Sequence, residues 1–445
     1  MTTDRQLHLN VFIHGVGHHE SIWRDPVSAP GGVTDLSHYT EIARIAERGT
    51  FDSLFLADAP ALFGSVRNAA LSLEPFTLLS ALAAVTERIG LIGTASTTFT
   101  EPYNLARQFA SLDHLSRGRA GWNIVTTASE AAARNFGLDR LPTHADRYGR
   151  SREYLEVATR LWDSWEPDAV VLDRENNVFA DPARVHDTAY AGEYFSVHGP
   201  LNVPRSPQGR PVLVQAGSSE AGRDFAGEWA EAIFTSQLSV EAAREFRADI
   251  RARATANGRD PGHVNVLPGV IPILGSTEEE ARRLRDEWLA LTDSEVGLSL
   301  LQGQLGGIDL SGHDLDAPFP DLGDSSGTEA GKSRWDLIVR LARTEGLTLR
   351  EVLAWFAAGH GHRVFVGTPE QLAGQFEYWL TTGASDGFNI MPPRLPDTFE
   401  HFVDHVVPIL RSRGLFRAEY SGTTLREHYG LPVPANRYAV GEPAA

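Results

Sequence analysis

The stretch GRAGWNIVTTASEAAARNFG, residues 118–137, decides how the rest of the chain is read. Trp122, Ile124, Val125 and Thr126 are β-formers, so its first half predicts a strand. Ser129 to Arg134 is alanine-rich and predicts a helical turn. A strand running into a helix is the unit of a parallel sheet covered by helices. Asn123 interrupts the apolar run, and Thr126 and Thr127 end it. A buried strand with an amide inside and hydroxyls at its tip offers polar groups either to a ligand or to the cap of the next helix.

The same unit recurs on both sides of this stretch. Apolar strand patterns precede it at 7–14, 51–58 and 89–97, and follow it at 211–217, 231–237, 264–274 and 387–392. Helical patterns alternate with them. Eight such units predict an α/β fold, a (β/α)8 TIM barrel with insertions. A doubly wound open sheet carries the same alternation, so closure is not visible in periodicity. The expected organisation is one domain over 1–445, interrupted by insertions at about 166–210 and 292–367. Both insertions are read as lying at the catalytic face, with packing on the outside of the barrel as the alternative.

Composition narrows the chemistry. The net charge of −18 argues against a nucleic-acid or anionic-membrane surface. With no cysteine there is no disulfide, zinc-thiolate site or iron–sulfur cluster. No signal-peptide pattern or membrane-length apolar run is seen, so a cytoplasmic location is expected.

In a barrel of this kind the reactive groups sit at the C-terminal ends of the strands. Those ends carry His14, Asp58, Thr94 to Thr97, Asn123 with Thr126, and Gly217-Ser218-Ser219. Any one of them is as well explained by helix capping, but five strand ends share the habit. In QAGSSEAGRDFAGEWA, Ser218 and Ser219 open a helix. Free N–H groups and hydroxyls there suit a phosphate, although a plain serine cap explains the fragment alone. His144 and Tyr148, four apart in HADRYGRSREYLE, share one helix face, as packing pairs also do. HGVGHHESIWRDP is dense in histidine (His14, His18, His19), but its glycines do not form a dinucleotide fingerprint. His360 and His362 form an HGH triplet that follows a helical pattern rather than a strand, a poor setting for a metal.

Taken in order, GRAGWNIVTTASEAAARNFG, RYGRSREYLEVATRLWDSW, HGPLNVPRSPQGRPVLVQAGSS, LGGIDLSGHDLDAPFPD and DGFNIMPPRLPDTFEHFVDHVVPILRSRGLFRAEYSGTTLREHYG form a series. It resembles the bacterial luciferase-like flavin-dependent monooxygenases, in the group of nitrilotriacetate monooxygenase component A, dibenzothiophene-sulfone monooxygenase and long-chain alkane monooxygenase. The resemblance runs from the GxHxxxWR-like segment Gly17–Arg24 to Tyr429.

This resemblance implies a luciferase-like barrel that uses reduced FMN, with dioxygen as co-substrate. A separate NAD(P)H:flavin oxidoreductase would supply the reduced FMN. It implies oxygen activation as a flavin (hydro)peroxide and insertion of one oxygen atom into a small organic substrate, with C–S or C–N cleavage in some relatives. It further implies a homodimer or homotetramer. Asp58 and Thr94 should lie beside the flavin ring, and Asn123 should hydrogen-bond the flavin. His144 and Tyr148 should lie near the ribityl-phosphate arm, Ser218 or Ser219 at the phosphate, and His19 on the substrate side as a candidate proton donor. No metal is implied. The segment 303–325 is expected to order over the barrel mouth. Two rival readings are a metal-dependent barrel hydrolase using His14, His18 or His19 with Asp58, and a non-catalytic flavin-binding barrel.

Overall fold

The computed structural model describes residues 5–62, 73–323 and 332–439. Eight parallel strands form a ring: β1 His8–Ile13, β2 Ser53–Leu56, β3 Gly90–Ser96, β4 Ala120–Val125, β5 Val212–Gln215, β6 Ala232–Thr235, β7 Asn265–Leu274 and β8 Gly387–Ile390. Neighbours in the chain are neighbours in the sheet, and β8 pairs with β1 from His8 opposite Gly387 to Val11 opposite Ile390. The ring is closed, which excludes the open doubly wound sheet. Closure needs a glycine at that seam, because a Cβ on Gly387 would lie 1.9 Å from the His8 carbonyl oxygen.

Alternation along each strand sorts side chains into two cores. On β4, Trp122 points outward and packs against Phe109, Tyr154 and Trp162 of the helices Pro102–Leu115 and His144–Asp163. Asn123 therefore points into the barrel, as its β3 partner Thr94 does. Below them the interior is filled by Phe55, Ile92, Val212, Val214 and Leu267. The N-terminal mouth is plugged by the chain's own C-terminal region, with Leu425, Tyr429 and Leu431 joining this inner core. The Tyr429 hydroxyl donates to Asn10 Oδ1 at 2.8 Å. The strand pattern carries no sign of this plug.

Three features depart from the expected pattern. A ninth strand, Arg363–Gly367, pairs with the second half of β7 from Val270 to Leu274, inside what was read as insertion. The stretch 335–359, whose sequence pattern is helical throughout, divides into helices Lys332–Glu345 and Leu349–Gly359 because Gly346 turns left-handed at φ 65°. The insertion 166–210 is not at the catalytic face. Its backbone takes hydrogen bonds from the outer helices, Tyr103 hydroxyl to the Pro200 carbonyl and His114 Nε2 to the Pro204 carbonyl. Its Tyr194 and Phe195 amides donate to Glu153. The region 292–367 builds a separate apolar cluster over the barrel, with Leu305, Leu310, Ile338 and Leu349 fully buried.

Candidate functional site

Two joined cavities open at the C-terminal ends of the strands. The outer one, about 800 Å³, is walled by Thr126, His144, Tyr148, Gly217, Ser218 and Ser219, with residues of β6 and the helical insertion opposite. The inner one, about 370 Å³, is walled by His14, His18, Glu20, Asp58 and His360 among others. Phe234, Arg334 and His362 line both and form the partition.

The outer cavity ends on the helix Glu220–Trp229, and its two serines divide the work there. Ser219 is the N-cap: its Oγ accepts from the Gly222 amide at 3.2 Å. Ser218 is left to face the cavity, with its Oγ 3.3 Å from Thr235 Oγ1. The approach is tight. A Cβ on Gly217 would strike Gln215 Nε2 at 2.2 Å, and one on Gly222 would lie 3.1 Å from the Tyr148 hydroxyl. Such a glycine-lined helix start leaves backbone N–H groups open to an anion. Tyr148 packs on His144 at 4.7 Å between ring centroids, and Thr143 caps the helix that carries both.

Thr94 and Asn123 are buried in the barrel and line neither cavity wall. The Thr94 hydroxyl donates to the Leu56 carbonyl at 2.8 Å. It must then accept from Asn123 Nδ2, at 2.7 Å. That fixes the amide's orientation and leaves Asn123 Oδ1 buried without a partner among the described residues. A buried, oriented and unsatisfied acceptor is costly unless a ligand donor meets it.

Asp58 lines the inner cavity at the tip of β2, and burial pushes its carboxyl up. His19 does not line the cavity. It is 2 % exposed, Nδ1 accepts from the Ser21 amide at 3.4 Å, and Nε2 has no partner among the described residues. The histidines that do reach the cavity are His14, His18, His360 and His362. The sequence held their signal in the HGVGHH and HGH motifs, but nothing in it said that the two motifs meet. They do, because Gly17, at φ 147°, lies where a Cβ would strike the Pro393 carbonyl at 2.2 Å, and the Glu20 amide donates to Ala357. This wedges the segment between the end of β8 and the helix Leu349–Gly359. His14 stacks on His18 at 5.4 Å, and His360 Nε2 lies 3.3 Å from Glu20 Oε2.

These imidazoles are held neutral. Burial, with a contribution from His360, lowers His14 to about 4. Burial and then the Arg334 charge lower His360 to about 4, and push His362 well below the usual range. The His18 Nε2–H donates to the Phe12 carbonyl at 3.0 Å, so its Nδ1 is bare. Such a lining offers hydrogen bonds without adding charge. Among the described residues no group of three or more histidine and acidic side chains is arranged to hold a metal.

Residues 17–386 match the family model described as luciferase-like monooxygenase. The chain is 50% identical to N-acetyl-S-(2-succino)cysteine monooxygenase of Bacillus subtilis (strain 168), over 98% of this chain and 99% of that relative. It is 45% identical to nitrilotriacetate monooxygenase component A of Aminobacter aminovorans, over 99% of each. It also superposes on the crystal structure of riboflavin lyase with modified FMN and riboflavin, at a TM-score of 0.87 and 35% identity. That match covers 96% of this chain and 97% of the other.

Proposed function

The chain belongs to the luciferase-like monooxygenase family, and from that premise we propose that it is the oxygenase component of a two-component system. It takes reduced FMN from a separate NAD(P)H:flavin reductase. One atom of dioxygen goes into a small organic substrate and the other leaves as water. The designation component A, carried by one relative, supports a further polypeptide as partner, and the riboflavin lyase structure with modified FMN supports the flavin.

The observation that carries the reading is the division of labour at the helix start: Ser219 caps the helix while Ser218 is open to the outer cavity. In this reading the FMN phosphate lies at Ser218 and the free amides of Glu220–Trp229. His144 and Tyr148 flank the ribityl arm. Asn123 Oδ1 accepts from a ring N–H, which satisfies an oriented acceptor left unmet among the described residues. Asp58 borders the ring from β2. Bound reduced FMN supplies the electrons that activate dioxygen. The protein's own part is to hold the ring and keep the inner cavity dry. The neutral His14, His18 and His360 line the substrate side, and a bare imidazole nitrogen there can take up or relay a proton. His19 contributes behind this wall.

The deciding experiment is turnover with a supplied flavin reductase, NADH, FMN and oxygen, following substrate loss by mass spectrometry. N-acetyl-S-(2-succino)cysteine is the first compound to test. The pure chain should not oxidise NADH, and NADH oxidation by it alone would sink the two-component reading.

A further inference from the structure

Arg334, on the helix Lys332–Glu345, lies in the partition between the two cavities. Its Nη2 lies 3.3 Å from His362 Nε2. A guanidinium only donates, so His362 must present a bare nitrogen there. The other arm, Nη1, is enclosed and has no partner among the described residues. A Cβ on Gly361 would lie 2.4 Å from that same atom, and Gly361 itself is left-handed at φ 83°. The backbone thus makes room for the guanidinium and offers it no acceptor.

No carboxylate among the described residues pairs with Arg334. Burial alone lowers it, to about 10, with no neighbouring charge contributing. It stays ionised at neutral pH, beside histidines that are neutral. Two structural arginines of the barrel show the contrast. Arg119 is buried too, but its guanidinium donates to Ser116, Ala83, Thr86 and Ile89 oxygens. Arg426 is buried against Glu231. An enclosed cation in a cavity wall, with a donor arm left unmet, is a receptor for an anion.

The anion is assigned by which cavity lacks another cation. The outer cavity also has Arg147, Arg223 and Arg340 in its walls. Among the described residues the inner cavity has Arg334 as its one cation, set against Glu20 and Asp58. From this we infer that the inner cavity takes a substrate bearing a carboxylate, and that Arg334 is the specificity-determining residue that holds it. The carboxylate docks on Nη1 at the partition. The rest of the molecule then extends into the inner cavity, along its apolar wall of Phe12, Leu56 and Met391. The inference rests on the monooxygenase reading for the term substrate, but the binding it describes needs no turnover.

Thiodiacetate and its uncharged dimethyl ester form a probe pair with the same backbone, the ester having each carboxylate charge masked by a methyl group. Both are titrated calorimetrically into the full-length protein with and without FMN, as wild type, Arg334→Met and Arg334→Lys. The wild type should bind the diacid at least about tenfold more tightly than the diester, the gain expected of a charge-assisted pair. Arg334→Met should abolish that preference. Arg334→Lys, which keeps the charge but not the planar fork, should retain part of it and covers the case that the methionine variant does not fold. FMN affinity should stay within about threefold throughout. A wild type without preference for the diacid overturns the inference, as does a folded methionine variant that keeps it. Loss of FMN affinity with the preference intact also overturns it, and assigns Arg334 to the cofactor. Failure of reductase-driven turnover, with the diacid preference present, would instead count against the monooxygenase reading alone.

Discussion

Asn123 Nδ2 donates to Thr94 Oγ1 at 2.7 Å across the β3–β4 pair, where the two residues are direct partners in register. Because the Thr94 proton is already committed to Leu56, the amide can sit only one way round. The pair is a device that aims one carbonyl oxygen into the barrel.

Removing either half should separate aim from contact. Asn123→Ala deletes the acceptor, and FMN affinity should fall about tenfold for a bond worth roughly 1–1.5 kcal/mol. Thr94→Val is close in shape but strands the amide and the Leu56 carbonyl, at a cost of about 1–3 kcal/mol in stability. It should also weaken FMN, since the amide is no longer locked. Anaerobic titration and thermal melting read the two effects. A valine variant with unchanged melting would mean that the hydroxyl does not orient the amide.

The neighbouring serines should give a crossed pattern. Ser218→Ala should cost roughly 1.5–3 kcal/mol of phosphate binding, hence about tenfold or more in affinity for reduced FMN, with stability unchanged. Ser219→Ala should lower stability by about 0.5–2 kcal/mol through the lost cap. If both variants lose only stability, the phosphate lies elsewhere.

The buried histidines predict an acid-side loss of stability. His14, His19 and His360 are lowered to about 4, each chiefly by burial, against about 6.5 when unfolded. Between these values the unfolded chain binds more protons than the folded one, so stability rises with pH there and is level above about 6.5. Asp52, held at about 2 beside Arg417 and His8, adds its loss only below the ordinary carboxylate range. Melting temperature should therefore fall on acidification from about 6.5 towards 4. His14→Gln should flatten the slope, and an unchanged slope would show that His14 is not buried as a neutral base.

The helical insertion should govern coupling. Leu310 is fully buried within its cluster, and Leu300 and Gln304 of the same region reach the inner cavity. The segment 303–325, whose last two residues fall outside the described ones, is thus fixed to the insertion by packing at Leu305 and Leu310. Leu310→Ala should cost about 2–5 kcal/mol locally and loosen the cover. FMN binding should be nearly intact, while hydrogen peroxide released per product rises. Equal coupling in wild type and variant would make the segment scaffold alone.

The alternation of strands and helices was legible because burial on both sides of a parallel sheet writes itself as continuous apolar runs. Polar residues at the strand tips were legible for the complementary reason: Asp58, Asn123, Ser218 and Ser219 interrupt those runs where packing gives no cause. What the sequence left open were contacts between distant segments. Local pattern does not encode whether β8 meets β1, so closure rested on pairs such as His8 with Gly387. The insertion 166–210 and the cavity-lining one at 292–367 look alike in composition, and only packing separated them. Arg334 and His362 stand 28 residues apart, on a helix and in a turn, and neither residue type announces a site alone. A cation becomes a receptor when its surroundings bury it and withhold a counter-charge, and that condition is set by the tertiary structure.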